Sequence, residues 1–444
     1  MENVVIVGGG LAGSECALAL AARGVSCTLF EQRPAASSPA HRTDGLAELV
    51  CSNSLKSLKD DTAPGILKYE LDAMGSALLA IARETSVPAG NSLAVDREAF
   101  SRAVTERIEA EPLIELVREE VRELPSGPAV IAAGPLCSEA LFEALTERLG
   151  AGSLAFFDAA APIVDADTID RSRVFAQSRY GDEGAGDYLN CPFEREAYDA
   201  FVEELIGAER VIARDFESAD LFSACQPVEE VARTHADALR YGALKPVGLT
   251  DPATGRRPWA AVQLRAENAA KTAYNLVGFQ TNLTFGEQKR VFRLIPGLEN
   301  AEFFRYGVMH RNSFVDAPHV LGRGFAVPGT GIRLAGQITG TEGYVEAIAS
   351  GLFAALGTFA EIRGYEPPEL PREGAFGSLV AYALDPNTVG YQPNHVNFGL
   401  FPPLVPHVRN KGERRRLMAE RARAAIDAFV AERAELFPAG RGER

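Results

Sequence analysis

The opening stretch, NVVIVGGGLAGSECALALAARGVSCTLFE, narrows what this chain can become. Residues 3–8 are a continuous apolar run of strand length, and the segment GGGLAG follows. ECALALAARG has the texture of a helix and closes at Gly24. SCTLFE, residues 26–31, reads as a second strand ending in an acid. The order strand, helix, strand is a complete βαβ unit. At its first junction stand Gly8, Gly10 and Gly13. In such a unit the first glycine permits the tight turn, the second lets backbone approach a pyrophosphate, and the third lets helix and strand pack closely. The helix N-terminus offers free N–H groups to phosphates, and Glu31 is placed to accept from a ribose hydroxyl. A glycine-rich turn without a ligand is the plainer reading, but strand, helix, second strand and acid together favour a dinucleotide site.

The rest of the chain extends this plan. Thr62 to Glu84 reads as helical, with Leu67, Leu71, Met74, Leu78 and Ile81 on one face. PAVIAAG, residues 128–134, is a third buried-type strand. After Gly150 the texture turns to aromatics and short strand-like runs such as FFDAAAPIV and AAVQLRAEN. Residues 332–335 form a late strand, and GQITGTEGYVEAIASGLFAAL turns into a helix. Asn410 to Phe437 reads as a charged amphipathic helix.

That late turn bears on which dinucleotide is bound. Gly336 and Gln337 end a strand, and Gly343 and Tyr344 open a helix. In flavoproteins of this layout the polar residue meets the ribitol, and the helix N-terminus faces the flavin edge where charge collects on reduction. Asp is usual where Gln337 stands, and an ordinary strand-to-helix turn is the alternative. The expected class is therefore α/β. A Rossmann-type, glutathione-reductase-like FAD-binding domain would be built from residues 1–150 and 321–444, with an inserted α+β domain at 151–320.

Composition sets outer limits. The 444 residues are 46% hydrophobic and 24% charged, a globular balance. The net charge of −15 argues against a large polyanion as partner unless contact is local. No unbroken apolar run of ~18 residues appears, so no membrane span is expected. The N-terminus lacks the basic region of a secretory signal. Cys16, Cys27, Cys51, Cys137, Cys191 and Cys225 are scattered without C-x-x-C, which fits a reducing, cytoplasmic setting. The six histidines show no metal-ligand spacing, so no metal is expected.

Two cysteines are candidates for chemistry. Cys51 lies in LVCSNSLK, where the Ser-Asn-Ser loop can cap a helix and Lys56 is close. A thiol at a helix N-terminus beside a cation is reactive, whereas a buried strand-end cysteine is inert. Cys16 and Cys27, inside the first βαβ unit, belong to the inert kind. Cys225, in SACQPVEEVA, has Glu229 and Glu230 nearby, which disfavour a thiolate, and both readings stay open there. RYGVMHRN, residues 305–312, brings His310, Arg311 and Asn312 together, groups that stack on a flat heterocycle and bond its edges, or that simply form a surface turn. Lys411, Arg414, Arg415, Arg416, Arg421 and Arg423 form a basic stripe interleaved with Glu413 and Glu420. Such a stripe is either a solvated helix face or a phosphate-contact surface.

GGGLAGSECA, LVCSNSLKS, VPAGNSLAVDREAF, CQPVEE, YNLVGFQTNLTFGEQKRVFR, RYGVMHRN, AGQITGTEGYVEAIASG and YQPNHVNFGLFPP occur in one order along nearly the whole chain. In this the sequence resembles the folate- and FAD-dependent tRNA (uracil-5-)-methyltransferases, the TrmFO family. The stretch from Tyr274 to Asn312 is the most specific. The resemblance implies methylation of C5 of uridine 54 in the tRNA T-loop. Methylenetetrahydrofolate would supply the one-carbon unit, and FAD reduced by NAD(P)H the electrons. The family's functional cysteines fall on Cys51 and Cys225, and its flavin-side histidine on His310. The inserted domain would contribute to the folate and tRNA site, with Lys411, Arg414, Arg415 and Arg416 as candidate tRNA contacts. No obligate protein partner is implied. Gln226 stands where methionine is common, Asn394-His395 where Met-Asn is expected, and Arg233–Gly242 matches loosely.

Uracil C5 is a poor nucleophile until a thiolate adds at C6, so a reactive cysteine suits this reaction. The choice of Cys225 as that nucleophile and Cys51 as the flavin-side proton-transfer or protecting thiol is an expectation. A flavoenzyme acting on wobble uridine is the nearest alternative. That family is longer and carries a C-terminal helical domain. A thiol-dependent flavoprotein reductase would want a second cysteine a few residues from Cys51.

Overall fold

Strand Val4–Val7 runs straight into Gly8, helix Leu11–Ala22 follows, and strand Cys27–Phe30 pairs parallel with the first. The computed structural model describes residues 3–38, 40–150, 154–159, 161–179, 187–211, 226–307, 309–388 and 391–437, with backbone alone for 154–159 and 309–311. The βαβ unit sits in a parallel sheet ordered Ile332–Leu334, Ala129–Ile131, Val4–Val7, Cys27–Phe30, Ile114–Val117. Strand Val4–Val7 has its sequence successor on one side and Ala129–Ile131 on the other. Open α/β sheets bind ligands beyond the carboxyl ends of the strands at such a reversal. Every residue of Ala129–Ile131 and Ile332–Leu334 is buried, as expected of parallel strands covered on both faces.

The covering helix Tyr344–Arg363 crosses Leu11–Ala22 so closely that a Cβ on Gly351 would lie 2.1 Å from the Ala12 carbonyl oxygen. By length and composition alone this helix could cross a membrane. It interrupts its apolar residues with only a few charges, and 89% of its most apolar window is buried within the protein. It is a core helix.

A difference from the sequence reading concerns Thr62–Glu84. It is two helices, Ala63–Met74 and Ala77–Glu84. Gly75 takes a left-handed conformation (φ 79°) and Ser76 caps the second helix by accepting from Leu79 N–H. The apolar rhythm runs across the break because both helices face one core: Leu67, Leu71, Met74, Leu78 and Ile81 are all buried.

Residues after Gly150 build a six-stranded sheet around Ala260–Ala266, with antiparallel pairing throughout. Its apolar cluster runs from Ala161 to Ala301. Strands Leu154–Ala159 and Met309–Phe314 pair antiparallel, with His310 opposite Asp158. Phe314, Val315 and Ala317 pack into the cluster of the parallel sheet, as do Met418, Ala422, Ile426 and Phe429 of helix Lys411–Glu432. Asn410 caps that helix, its side chain accepting from Glu413 N–H.

Candidate active site

The three early glycines play separate parts. Gly8 has φ 106°, and a Cβ there would strike the Ala132 carbonyl oxygen at 2.5 Å. A Cβ on Gly13 would sit 1.8 Å from the Gly8 carbonyl oxygen, so only glycine lets this helix meet its strand. At Gly10 nothing lies within 4 Å of a Cβ position, which leaves open space over backbone at the helix N-terminus. That space belongs to a groove lined by Gly8, Gly10, Glu31, Ala133, Gly336 and Gln337, among others. It fits a dinucleotide pyrophosphate. Glu31 borders the groove while accepting from Gly9 N–H (3.0 Å) and from Arg33 N–H and Nε. Burial works against its charge, but Arg33 and the N–H donors hold it below the usual carboxylate range.

A second cavity of about 660 Å³ adjoins the groove. Val50, Pro135, Leu136, Gln337 and Tyr344 line both spaces. The volume lies within the usual range for small-molecule sites. Cys51, Ser52, Lys56, Asn312 and Glu342 also face it. Gln337 donates from Nε2 to Glu342 Oε1, which fixes the polar residue of the late turn.

The loop that follows Cys51 does not form the helix start that the sequence suggested. Ser54–Ser57 is a strand, so the Ser-Asn-Ser loop caps no helix. Instead the Cys51 N–H donates to Tyr344 Oη at 2.7 Å, and Ser52 N–H donates to the same oxygen at 3.2 Å. Tyr344 is the first residue of Tyr344–Arg363, so the helix end comes from nearly three hundred residues away. Lys56 differs from expectation too: its ammonium pairs with the fully buried Glu346 carboxylate at 2.7 Å. The cations around Cys51 are arginines, of which the sequence reading had met Arg305, at the start of RYGVMHRN. Arg97, Arg265 and Arg305 all lie within electrostatic reach of its thiol. Burial lowers Arg265 and Arg305 from the ordinary guanidinium value. Burial acts likewise on Arg97, but Glu267 and Tyr344 carry it above that value. Cationic neighbours of this kind favour a thiolate. Arg265 also ties the loop down, donating to Asn53 Oδ1 at 2.7 Å and Ser52 Oγ at 2.8 Å. One signal could have found it: a lone charge in AAVQLRA, a strand whose every position is buried.

The remaining candidates are placed as follows. Cys225 lies outside the described residues, as do the side chains of His310 and Arg311. Asn312 is buried on the cavity wall. Cys16 and Cys27 are buried, and burial pushes the Cys27 thiol up to about 12, as inert cysteines require. The residues of the basic stripe make separate contacts. Arg416 pairs with Glu420, Arg421 donates to the Pro402 and Pro403 carbonyls, and Arg423 pairs with Asp60. Lys411 is exposed, Arg414 donates to the Val408 carbonyl, and Arg415 lines the cavity, 5.8 Å from the Phe398 ring centre.

Fold and groove define a dinucleotide-binding α/β protein of the GidA type. The family model for glucose inhibited division protein A matches residues 3–366, and the solved structure of Aquifex aeolicus GidA superposes with a TM-score of 0.70 over 98% of this chain and 75% of that one, at 18% identity. Closer relatives narrow the family. A Geobacter sulfurreducens protein named methylenetetrahydrofolate--tRNA-(uracil-5-)-methyltransferase TrmFO is 55% identical over 430 residues, 96% of this chain and 99% of its own. A protein of the same name from Moorella thermoacetica is 52% identical over 423 residues, 95% of this chain and 97% of its own. The chain belongs to the TrmFO family.

Proposed function

We propose that this protein is an FAD-dependent methyltransferase that methylates C5 of uridine 54 in the tRNA T-loop, with methylenetetrahydrofolate as carbon donor and NAD(P)H as reductant. The observation that carries the reading is the adjacency of the two spaces: a groove with the glycine geometry for a dinucleotide shares Val50, Pro135, Leu136, Gln337 and Tyr344 with a cavity lined by Cys51. Residues 1–150 and 321–444 form the cofactor-binding part in this proposal, and 151–320 the part that completes the substrate site. A cytoplasmic location goes with a tRNA substrate.

Gly8, Gly10, Gly13 and Glu31 would hold the adenylate half of FAD, and Gly336, Gln337, Gly343 and Tyr344 the flavin half. When bound, FAD supplies the two electrons that convert the one-carbon unit to a methyl group. The protein's own part is to position and to move protons. Tyr344 Oη fixes the backbone at Cys51, and Arg97, Arg265 and Arg305 favour its thiolate, which suits a group that gives and takes a proton at the cavity floor. In the same reading Cys225 adds to uracil C6, so that electron density reaches C5. C5 bonds to the donor carbon, the C5 proton goes to a base, the bond from that carbon to the folate nitrogen breaks, and, once two electrons have reached the carbon, the thiolate leaves as the 5,6 double bond re-forms. His310 would stack on the pterin beside Arg311 and Asn312, and Lys411, Arg414, Arg415 and Arg416 would meet phosphates.

Incubation with unmodified tRNA, methylenetetrahydrofolate, FAD and NADPH, followed by nucleoside analysis, tests the reading. 5-Methyluridine at position 54 is the expected product, and flavin oxidation without it would point to the reductase alternative. Failure of C225A to trap 5-fluorouridine tRNA covalently is expected, and trapping would move the nucleophile elsewhere.

A further inference from the structure

An aromatic row crosses part of the antiparallel unit and ends at the surface. It runs from Phe292 to Phe303 (ring centres 6.4 Å apart), on to Tyr306 (5.4 Å, planes 29° apart) and out to Phe285 (5.2 Å, 19°). Phe292 is fully buried, whereas Phe285 is 53% exposed. Single exposed hydrophobic side chains are ordinary, but this one is held in place. Phe285 opens helix Phe285–Phe292, which Thr284 caps by accepting from Glu287 N–H. Gln288, buried on the same helix, donates from Nε2 to the Gly307 carbonyl at 2.8 Å and accepts from Gly307 N–H at 2.7 Å. These two hydrogen bonds lock the turn that carries Tyr306 to the helix that carries Phe285.

The exposed ring lies near the cavity. Gln280, five residues before Phe285, lines it, and five residues reach at most about 18 Å. Arg305, next to Tyr306, is within electrostatic reach of the Cys51 thiol. Lys289 stands one turn on from Phe285, on the same helix face. It is exposed, and no carboxylate pairs with it among the described residues. Arg290 beside it is engaged by Glu204 and Glu287. The ring's neighbours along the helix are therefore Gly286, which bears no side chain, and charged groups. One ring among charges offers little to a second copy of the chain, for which a stable contact buries about 800 Å² per partner. A flat ring beside an unpaired ammonium suits a nucleotide, with the base on the ring and the phosphate on the cation.

RNA loops are read largely through unstacked bases that settle on aromatic side chains. We infer that Phe285 is the platform for an unpaired T-loop base near the target uridine, with Lys289 on its phosphate. This rests on the tRNA reading above.

The test measures binding of unmodified tRNA to the FAD-loaded protein. F285A and F285L are expected to weaken it about tenfold, the scale of one lost base stack, and F285W to hold it within about twofold. F285L keeps apolar bulk without the flat face, so wild-type affinity in F285L overturns the inference. K289Q is expected to lower the slope of log affinity against log salt by about one, and an unchanged slope overturns the phosphate contact. An abasic scan of the T-loop identifies the base: at one position its removal costs wild type about tenfold and F285A less than about twofold. A scan without such a position overturns the platform. So does self-association of the wild type that F285A abolishes while tRNA affinity stays. Absence of any 5-methyluridine from the wild-type reaction would instead overturn the underlying tRNA reading.

Discussion

The backbone N–H of Cys51 donates to the phenolic oxygen of Tyr344 at 2.7 Å, joining the thiol-bearing loop to the first residue of core helix Tyr344–Arg363. The phenol is the acceptor for two consecutive N–H groups, Cys51 and Ser52. Y344F leaves both without it, at a cost of about 1–3 kcal/mol for each group that stays buried. The expected outcome is a turnover at least about tenfold lower in protein saturated with FAD. Steady-state kinetics beside flavin absorbance measure both.

The glycine motif makes a sharper contrast. G13A forces a Cβ onto the Gly8 carbonyl oxygen, a clash with backbone that cannot swing aside. A loss of several kcal/mol is expected, of the kind overpacking causes. G10A meets no protein atom. The apoprotein should unfold within about 0.5–1 kcal/mol of wild type, the scale of an N-cap change from glycine to alanine. FAD affinity should nevertheless fall at least about tenfold. Urea unfolding and FAD titration of the two variants separate the effects.

Arg265 is the bolt between the six-stranded sheet and the Cys51 loop. R265A strands the fully buried Asn53 carbonyl and frees Ser52. A loss of about 2–4 kcal/mol is expected from the unmet hydrogen bonds. R265K restores charge but not the forked geometry and should recover only part of the activity. Thermal unfolding and turnover of both variants check this.

Three buried carboxyls set an acid-side stability trend. Burial raises Glu15, Glu70 and Glu229 from 4.5 to about 7. Between pH 4.5 and about 7 the folded protein therefore holds protons that the unfolded chain has released. Stability attributable to these groups falls as pH rises through that window and levels off above it, by about 1.4 kcal/mol per pH unit for each group. Glu70 accepts from Ala375 and Phe376 N–H. E70Q should show a shallower decline between pH 5 and 7 in urea midpoints, and an unaltered slope would refute the assignment.

The parallel-sheet half was legible because local patterns decide it. Apolar runs of strand length, glycines at fixed spacing and a closing acid are contiguous in sequence, and each glycine's role follows from its position. The break at Gly75 was hidden because two helices on one core keep one apolar rhythm, although Gly-Ser with an N-cap serine was visible. The surroundings of Cys51 were not legible. Arg97, Arg265, Arg305 and Tyr344 converge from four distant segments, and no local pattern announces a tertiary helix end. Lys56 was noticed for proximity to Cys51 in sequence, yet its charge is spent on Glu346, 290 residues away.

The account turns on a cysteine that lines a cavity adjoining the cofactor groove. The direct measurement is C51A, loaded with FAD, in the tRNA methylation reaction with methylenetetrahydrofolate and NADPH. Normal flavin content with 5-methyluridine formation reduced at least about hundredfold, the scale of lost acid–base catalysis, is the expected result. Turnover near wild type would contradict the account.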